Sequence, residues 1–278
     1  MRFGIDTFIT DQTMHPAALA RAVEERGLDT LMVTEHSHIP VRRETPWAGG
    51  PELPPHYYRT YDPFVGLAAA ATATSRLRLG TAIALAAQRD VIHLAKEVAT
   101  LDRVSDGRVI LGVGVGWNKE ETRNHGIPPG RRGAALDEKL AALKEIWTHD
   151  EAEFHGEFVD FDPIFSWPKP LQRPHPPILI GGESRPAVQR LLRFGDGWLP
   201  RVKTAPEEIA RTRAWLADQG RAVTVTVCGL RADPAEIERF AAIDVDAVTF
   251  SLAPFPEASP DASRFLDQVT DAVARFTN

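Results

Sequence analysis

Arg108-Val109-Ile110-Leu111-Gly112-Val113-Gly114-Val115-Gly116-Trp117-Asn118 lies near the middle of the 278-residue chain. Residues 108–115 read as a strand: a short apolar, β-branched run between Asp106-Gly107 and Asn118. Strand side chains alternate between two faces, so Gly112, Gly114 and Gly116 leave one face bare. Glycine inside a strand packs nothing and loses entropy on folding. A bare face therefore implies that something lies close against the backbone.

Outward from this strand the pattern repeats. Residues 91–104 have helical spacing and stop at Asp106-Gly107, and residues 77–85 before them are strand-like. Residues 62–75 form an alanine-rich helix with Asp62-Pro63 as cap and first turn. Further strands cover 2–9 and 30–36, separated by a helix over 15–25 that ends at Gly27. Downstream come a helix (134–147), a strand (177–181), a helix (186–194), a strand (197–201), a helix (206–217), a strand (223–228), a helix (234–241), a strand (247–252) and a helix (262–276). Eight strand-then-helix units in one chain of this length predict an α/β fold, a single (β/α)8 TIM barrel over residues 1–278. Two stretches interrupt the rhythm: residues 37–61 after the second strand, rich in Pro, Gly and aromatics, and residues 151–176 before the fifth, with a hairpin-like FHGEFVDF. Loops this long inside a compact domain are usually lids or binding segments. The first one leaves the C-terminal end of a strand, the catalytic end of a barrel.

Composition narrows the function classes. A net charge of -6 gives no support to a nucleic-acid partner. No apolar run is long enough to span a bilayer, and the N-terminal MRFGIDTFIT reads as a strand and not as a secretion signal. The single cysteine, Cys228, has no internal disulfide partner and fits a reducing cytoplasm. His36 and His38 lack companions at metal-ligand spacing, so no metal site is expected.

In a barrel, chemistry gathers where strands end. The second strand ends in Glu35-His36, a carboxylate beside an imidazole suited to acid–base work near neutral pH. The fifth ends in Gly181-Gly182-Glu183-Ser184 and runs straight into a helix, a plausible cradle for a phosphate. Trp117, Trp198 and Trp47 offer apolar walls for a flat ring. Gly112, Gly114 and Gly116 match only part of a G-x-G-x-x-G pattern, since position 119 is Lys, which argues against a dinucleotide site. Lys203, just past the sixth strand, keeps open a phosphate-using barrel isomerase or aldolase.

Together these residues resemble the luciferase-like monooxygenase family, and within it the branch that uses the deazaflavin F420. The resemblance rests on Tyr61-Asp62-Pro63, Arg76-Leu77-Arg78-Leu79-Gly80-Thr81, the run from Leu94 to Asp102, Asp106-Gly107-Arg108 leading into GVGVGWNKEE, Pro168-Lys169-Pro170-Leu171-Gln172, and Ile180-Gly181-Gly182. It covers roughly residues 1 to 200. It implies a (β/α)8 barrel with insertions, a non-proline cis peptide at Ala82-Ile83 against the flavin-type ring, and a commonly dimeric state. By position it assigns Glu35 and His36 to catalysis, with Glu35 orienting His36. It assigns Ala82, Ile83, Gly114, Gly116, Trp117, Asn118, Glu120, Gly181, Gly182, Glu183 and Ser184 to cofactor binding. Two departures stand out: Gln88-Arg89-Asp90 where relatives often carry proline, and Trp117 where some sugar-oxidising relatives carry glutamate.

The expected function is hydride transfer between F420 and a small organic substrate, which Trp47, Tyr57, Tyr58 and Trp198 would contact. The alternatives are an FMN-dependent monooxygenase that uses O2, and a non-catalytic flavin-binding barrel. The expected setting is cytoplasmic, as a homodimer, with no nucleic acid and no membrane.

Overall fold

The computed structural model describes residues 1–276. In chain order the elements are β1 (Arg2–Thr7), α1 (Pro16–Glu25), β2 (Thr30–Val33), α2 (Pro63–Ala73), β3 (Arg78–Thr81), α3 (Val91–Val104), β4 (Val109–Val113), α4 (Lys119–Asn124), α5 (Arg132–Thr148), β5 (Glu151–His155), β6 (Asp160–Phe165), β7 (Ile178–Gly181), α6 (Arg185–Phe194), β8 (Gly197–Leu199), α7 (Pro206–Asp218), β9 (Thr224–Leu230), α8 (Pro234–Ala241), β10 (Ala247–Leu252) and α9 (Asp261–Val273). Strands pair in the order β1-β10-β9-β8-β7-β4-β3-β2 and close into an all-parallel barrel. This is the (β/α)8 TIM barrel that the alternation of strand and helix predicts. The main core lies between strands and helices. A smaller cluster of Met32, Ile110, Leu179 and Leu199 fills the barrel interior and packs against Ala82, Ile83 and Cys228.

Five strands stop short of the ends expected for them, at Thr7, Val33, Thr81, Val113 and Leu199, and two of these shape the site. The third stops at Thr81, not at residue 85, because the chain turns there through a cis Ala82–Ile83 peptide and a 3-10 turn over Ala86–Gln88. Gly80 pairs with Ile110 and Ala84 with Val113, so four steps on one strand oppose three on the other. That extra residue is a bulge, which re-aims a side chain at the rim of a barrel. The fourth strand ends at Val113, before Gly114. The helix α4 was not anticipated from the sequence; its start is Asn118, whose Oδ1 accepts a hydrogen bond from Glu121 N at 3.2 Å.

The insertions go to opposite ends. Residues 37–61 follow β2 and fold across the C-terminal mouth. Residues 151–176 form the antiparallel hairpin β5–β6 against α5 and then enter β7 from its N-terminal end. There the fully buried Asp102 of α3 accepts hydrogen bonds from Leu171 N (2.8 Å), Gln172 N (2.8 Å) and Gln172 Nε2 (2.7 Å). Lys169 donates to Ile146 O at 2.6 Å.

Candidate active site

A cavity of about 440 Å³ opens at the C-terminal end of the barrel. Its floor is the bulge. A Cβ on Gly114 would come within 2.2 Å of Ile83 Cδ1, and one on Gly181 within 2.9 Å of Ile83 Cγ2. Ile83 thus sits in a socket made by two strands. Gly112 is bare for another reason: a Cβ there would lie 2.0 Å from Thr81 O. The glycine face of β4 therefore receives the β3 bulge and not a ring directly. Ile83, lodged on it, is what lines the cavity together with Ala82, Gly114 and Gly116.

One wall is aromatic. Tyr57 and Trp117 line it with His36 and Phe8. The His36 ring lies 5.2 Å from Tyr57 and 5.9 Å, edge-on, from Trp117. Tyr57 Oη accepts a hydrogen bond from Trp47 Nε1 at 3.1 Å, and burial pushes the Tyr57 phenol above its ordinary pKa against that bond. Trp47 thus braces Tyr57 from behind and is absent from the cavity lining. Tyr58 is 57% exposed and also lies outside it. Trp198 is buried, and its Nε1 donates to Gly182 O at 2.9 Å, so it props the glycine turn. Of the four side chains expected to meet substrate, only Tyr57 lines the cavity.

Glu35 and His36 are both buried at this wall, but they do not pair with each other. Glu35 accepts from Leu85 N at 2.6 Å and from Arg89 Nε at 2.8 Å. Arg89 also binds Glu97 at 2.9 Å and Asp62, and stacks 4.7 Å from the Phe64 ring centroid. Burial raises the Glu35 pKa even though Arg89 and the Leu85 amide pull it down. Glu35 thus braces the segment after the bulge. The carboxylate that meets His36 is Glu121, at 2.8 Å from Nδ1. The sequence signal for it was the Asn118-x-x-Glu121 spacing of a helix start.

Neighbouring residues hold the loop rather than the cavity. Asn118 is buried, caps α4 and does not line the mouth. Glu120 faces Glu44 and Thr45 of the first insertion, whose donors take its pKa down although burial pushes it up. It ties the first insertion to α4. Arg43 lies 5.2 Å over the Trp117 ring.

The far wall carries Gly181, Gly182, Leu199, Arg201 and Cys228. Glu183 chelates the Arg201 guanidinium at 3.0 and 2.6 Å and also accepts from Arg201 N at 3.0 Å. Burial acts to raise its pKa, but Arg201 takes it below the usual carboxylate range. Burial pushes the Cys228 thiol up. A second cavity of about 240 Å³ shares Val115, Gly181 and Gly182 with the first and ends at Ser184 and Arg132. Ser184 caps α6, with Oγ 3.4 Å from Ala187 N, and Gly182 turns with φ +101°. Arg132 Nε is buried there with no hydrogen-bond partner among the described residues. A cavity of this size joined to a helix start with an unused guanidinium N–H fits a tricyclic ring with a phosphate on its side chain. Among the described residues no group of three or more His, Cys, Asp or Glu is placed to hold a metal ion, and no helix is long and apolar enough to cross a membrane.

This barrel, with its bulged third strand beneath a ring-sized mouth, has the build of a flavin-type oxidoreductase. The luciferase-like monooxygenase family model matches residues 7–246, and the chain belongs to that family of oxidoreductases and monooxygenases. The chain is 40% identical over 282 residues to the uncharacterized protein Rv0953c of Mycobacterium tuberculosis, covering 99% of each. It is 39% identical over 139 residues to the FMNH(2)-dependent dimethylsulfone monooxygenase of Pseudomonas putida, covering 48% of this chain and 38% of that one. Among solved structures, the monooxygenase RslO1 from Streptomyces bottropensis matches with TM-score 0.81 at 20% identity over 100% of both chains. The coenzyme F420 dependent tetrahydromethanopterin reductase from Methanopyrus kandleri matches with TM-score 0.77 at 16% identity, over 100% of this chain and 99% of that one.

Proposed function

We propose that the protein is an F420-dependent oxidoreductase that exchanges a hydride with a small organic substrate at the barrel mouth. The observation that carries this reading is a buried imidazole, backed by a carboxylate, on the wall of a ring-sized cavity. Hydride chemistry on a carbonyl or alcohol moves a proton with each hydride, and an imidazole near neutral pH is the natural carrier. The deazaflavin, when bound, supplies or takes the hydride and reacts poorly with oxygen. Every other part belongs to the chain. Ile83 and Ala82 would support one face of the ring, with Gly114 and Gly116 beside them at the mouth. Gly181, Gly182, Ser184 and the Arg132 guanidinium hold its phosphate at the start of α6. Tyr57, Trp117 and Phe8 exclude water from the reacting face. His36 gives or receives the proton. The full-length likeness to an F420-dependent reductase supports this choice.

A second reading is an FMN-dependent monooxygenase. The identity shared with the FMNH(2)-dependent enzyme over 139 residues favours it. Both cofactors carry a tricycle and a phosphate, so the same residues serve either. Titrating the purified protein with each separates the readings. We expect F420 to bind with micromolar or tighter affinity and FMN at least about tenfold more weakly, a difference of about 1.4 kcal/mol. Tight FMN binding with no F420 binding would sink the first reading in favour of the second.

A further inference from the structure

We propose that Glu121 is the positioning residue of this site: it fixes the tautomer of His36 so that Nδ1 keeps its proton toward the protein and Nε2 is left to act at the mouth. The proposal rests on the reading of His36 as the proton carrier.

Asn118-Lys119-Glu120-Glu121 opens α4, with Asn118 as its cap and Glu121 at the third helical position. A glutamate there ordinarily turns back to bond the N–H of the cap residue and complete a capping box. Here it does not. Its Oε2 lies 2.8 Å from His36 Nδ1 and its Oε1 accepts from Ser37 N at 3.1 Å. The carboxylate leaves its own helix to grip two consecutive residues at the end of β2.

Those two bonds decide the proton's place. Ser37 N is a backbone donor and has no other role, so one carboxylate oxygen is committed as an acceptor. The other oxygen belongs to the same anion and accepts as well. The ring nitrogen facing it therefore carries hydrogen, and in the neutral imidazole the opposite nitrogen is bare. Tyr57 and Trp117 flank the ring at 5.2 and 5.9 Å. Burial sharpens the case. The His36 and Glu121 side chains are 4% and 1% exposed. Among the described residues no arginine or lysine shares Glu121: the nearby Arg89 is engaged by Glu35, Glu97 and Asp62. Replacing such a buried pair by apolar side chains is often neutral or stabilising, so stability alone does not account for it.

Glutamine at 121 offers one acceptor oxygen to two donors. With that oxygen on Ser37 N, its amide N–H₂ faces His36 Nδ1 and forces the proton to Nε2. The test is nitrogen-15 NMR of histidine-labelled full-length protein without cofactor at alkaline pH, with the His36 signals identified by their loss in His36→Gln. We expect wild type to show a protonated Nδ1 and a bare Nε2, and Glu121→Gln to place the proton on Nε2 in at least half of the molecules. Turnover of Glu121→Gln should fall by up to about 10,000-fold, the loss that follows when the carboxylate behind a triad histidine becomes an amide, with the affinity for F420 or FMN changed less than about twofold. A wild-type His36 protonated on Nε2 overturns the proposal without any variant. So does a Glu121→Gln protein that keeps the Nδ1–H pattern. The tautomer is read without cofactor, so failure of both cofactors to bind overturns the proposed function and not this assignment.

Discussion

The two insertions have similar length and similar Pro-rich composition, yet the barrel uses them differently. Residues 37–61 leave the C-terminal end of β2, and their Tyr57 packs on His36 inside the mouth. Residues 151–176 lead into the N-terminal end of β7 and are tied down by the buried Asp102. The first is braced by rings and by carboxylates near its two ends, Glu121 on Ser37 N and Asp11 on Arg59. The second is braced by a buried carboxylate with three donors. In a parallel barrel the end at which a loop departs decides whether it meets chemistry or only seals the fold. Changes near the first insertion should therefore alter function with little loss of stability. Changes at the second should do the reverse.

The largest effect expected on this contrast comes from His36→Gln, at the threshold of the first insertion. Turnover of reduced F420 with a panel of small carbonyl compounds should fall about 100-fold to 10,000-fold, as when a general acid–base is removed. Cofactor affinity should stay within about twofold. Unchanged turnover would move the proton carrier elsewhere. Next comes Asp102→Ala, beneath the second insertion. It leaves three donors without their acceptor, each worth about 1 kcal/mol or more when buried. Urea unfolding should show a loss of about 3 kcal/mol, while cofactor affinity is retained. A weakened cofactor would break the contrast between the two regions. The smallest effect belongs to Tyr57→Ala, which opens the aromatic wall. It should weaken F420 binding about tenfold, some 1.4 kcal/mol, and shift the unfolding midpoint little.

Much of this was legible in the sequence because periodicity reports burial. The strands and helices of the barrel follow from apolar patterning, and both insertions from the lack of it. The family resemblance located the cis Ala82–Ile83 bond, which no local propensity encodes. Contacts between distant segments were less legible. Gly112 and Gly114 announce a close approach, but only the closed barrel reveals that Thr81 O and the Ile83 side chain are what approach. Glu35 and His36 are adjacent in sequence, yet past the end of β2 they turn apart, to Arg89 and to Glu121 respectively. Trp198 lies within β8 and Asn118 at the start of α4, both near the mouth as site residues are, and both are buried as props. Being at a strand end is a weaker signal than facing inward there.

The central claim is that Ile83, seated between Gly114 and Gly181, floors a chamber for a deazaflavin under His36. A crystal structure of the protein with F420 tests it most directly. The tricycle should lie on Ile83, with His36 Nε2 turned toward it and the phosphate at Ser184 and the start of α6. A ring bound away from Ile83, or a phosphate held anywhere but at α6, would contradict it.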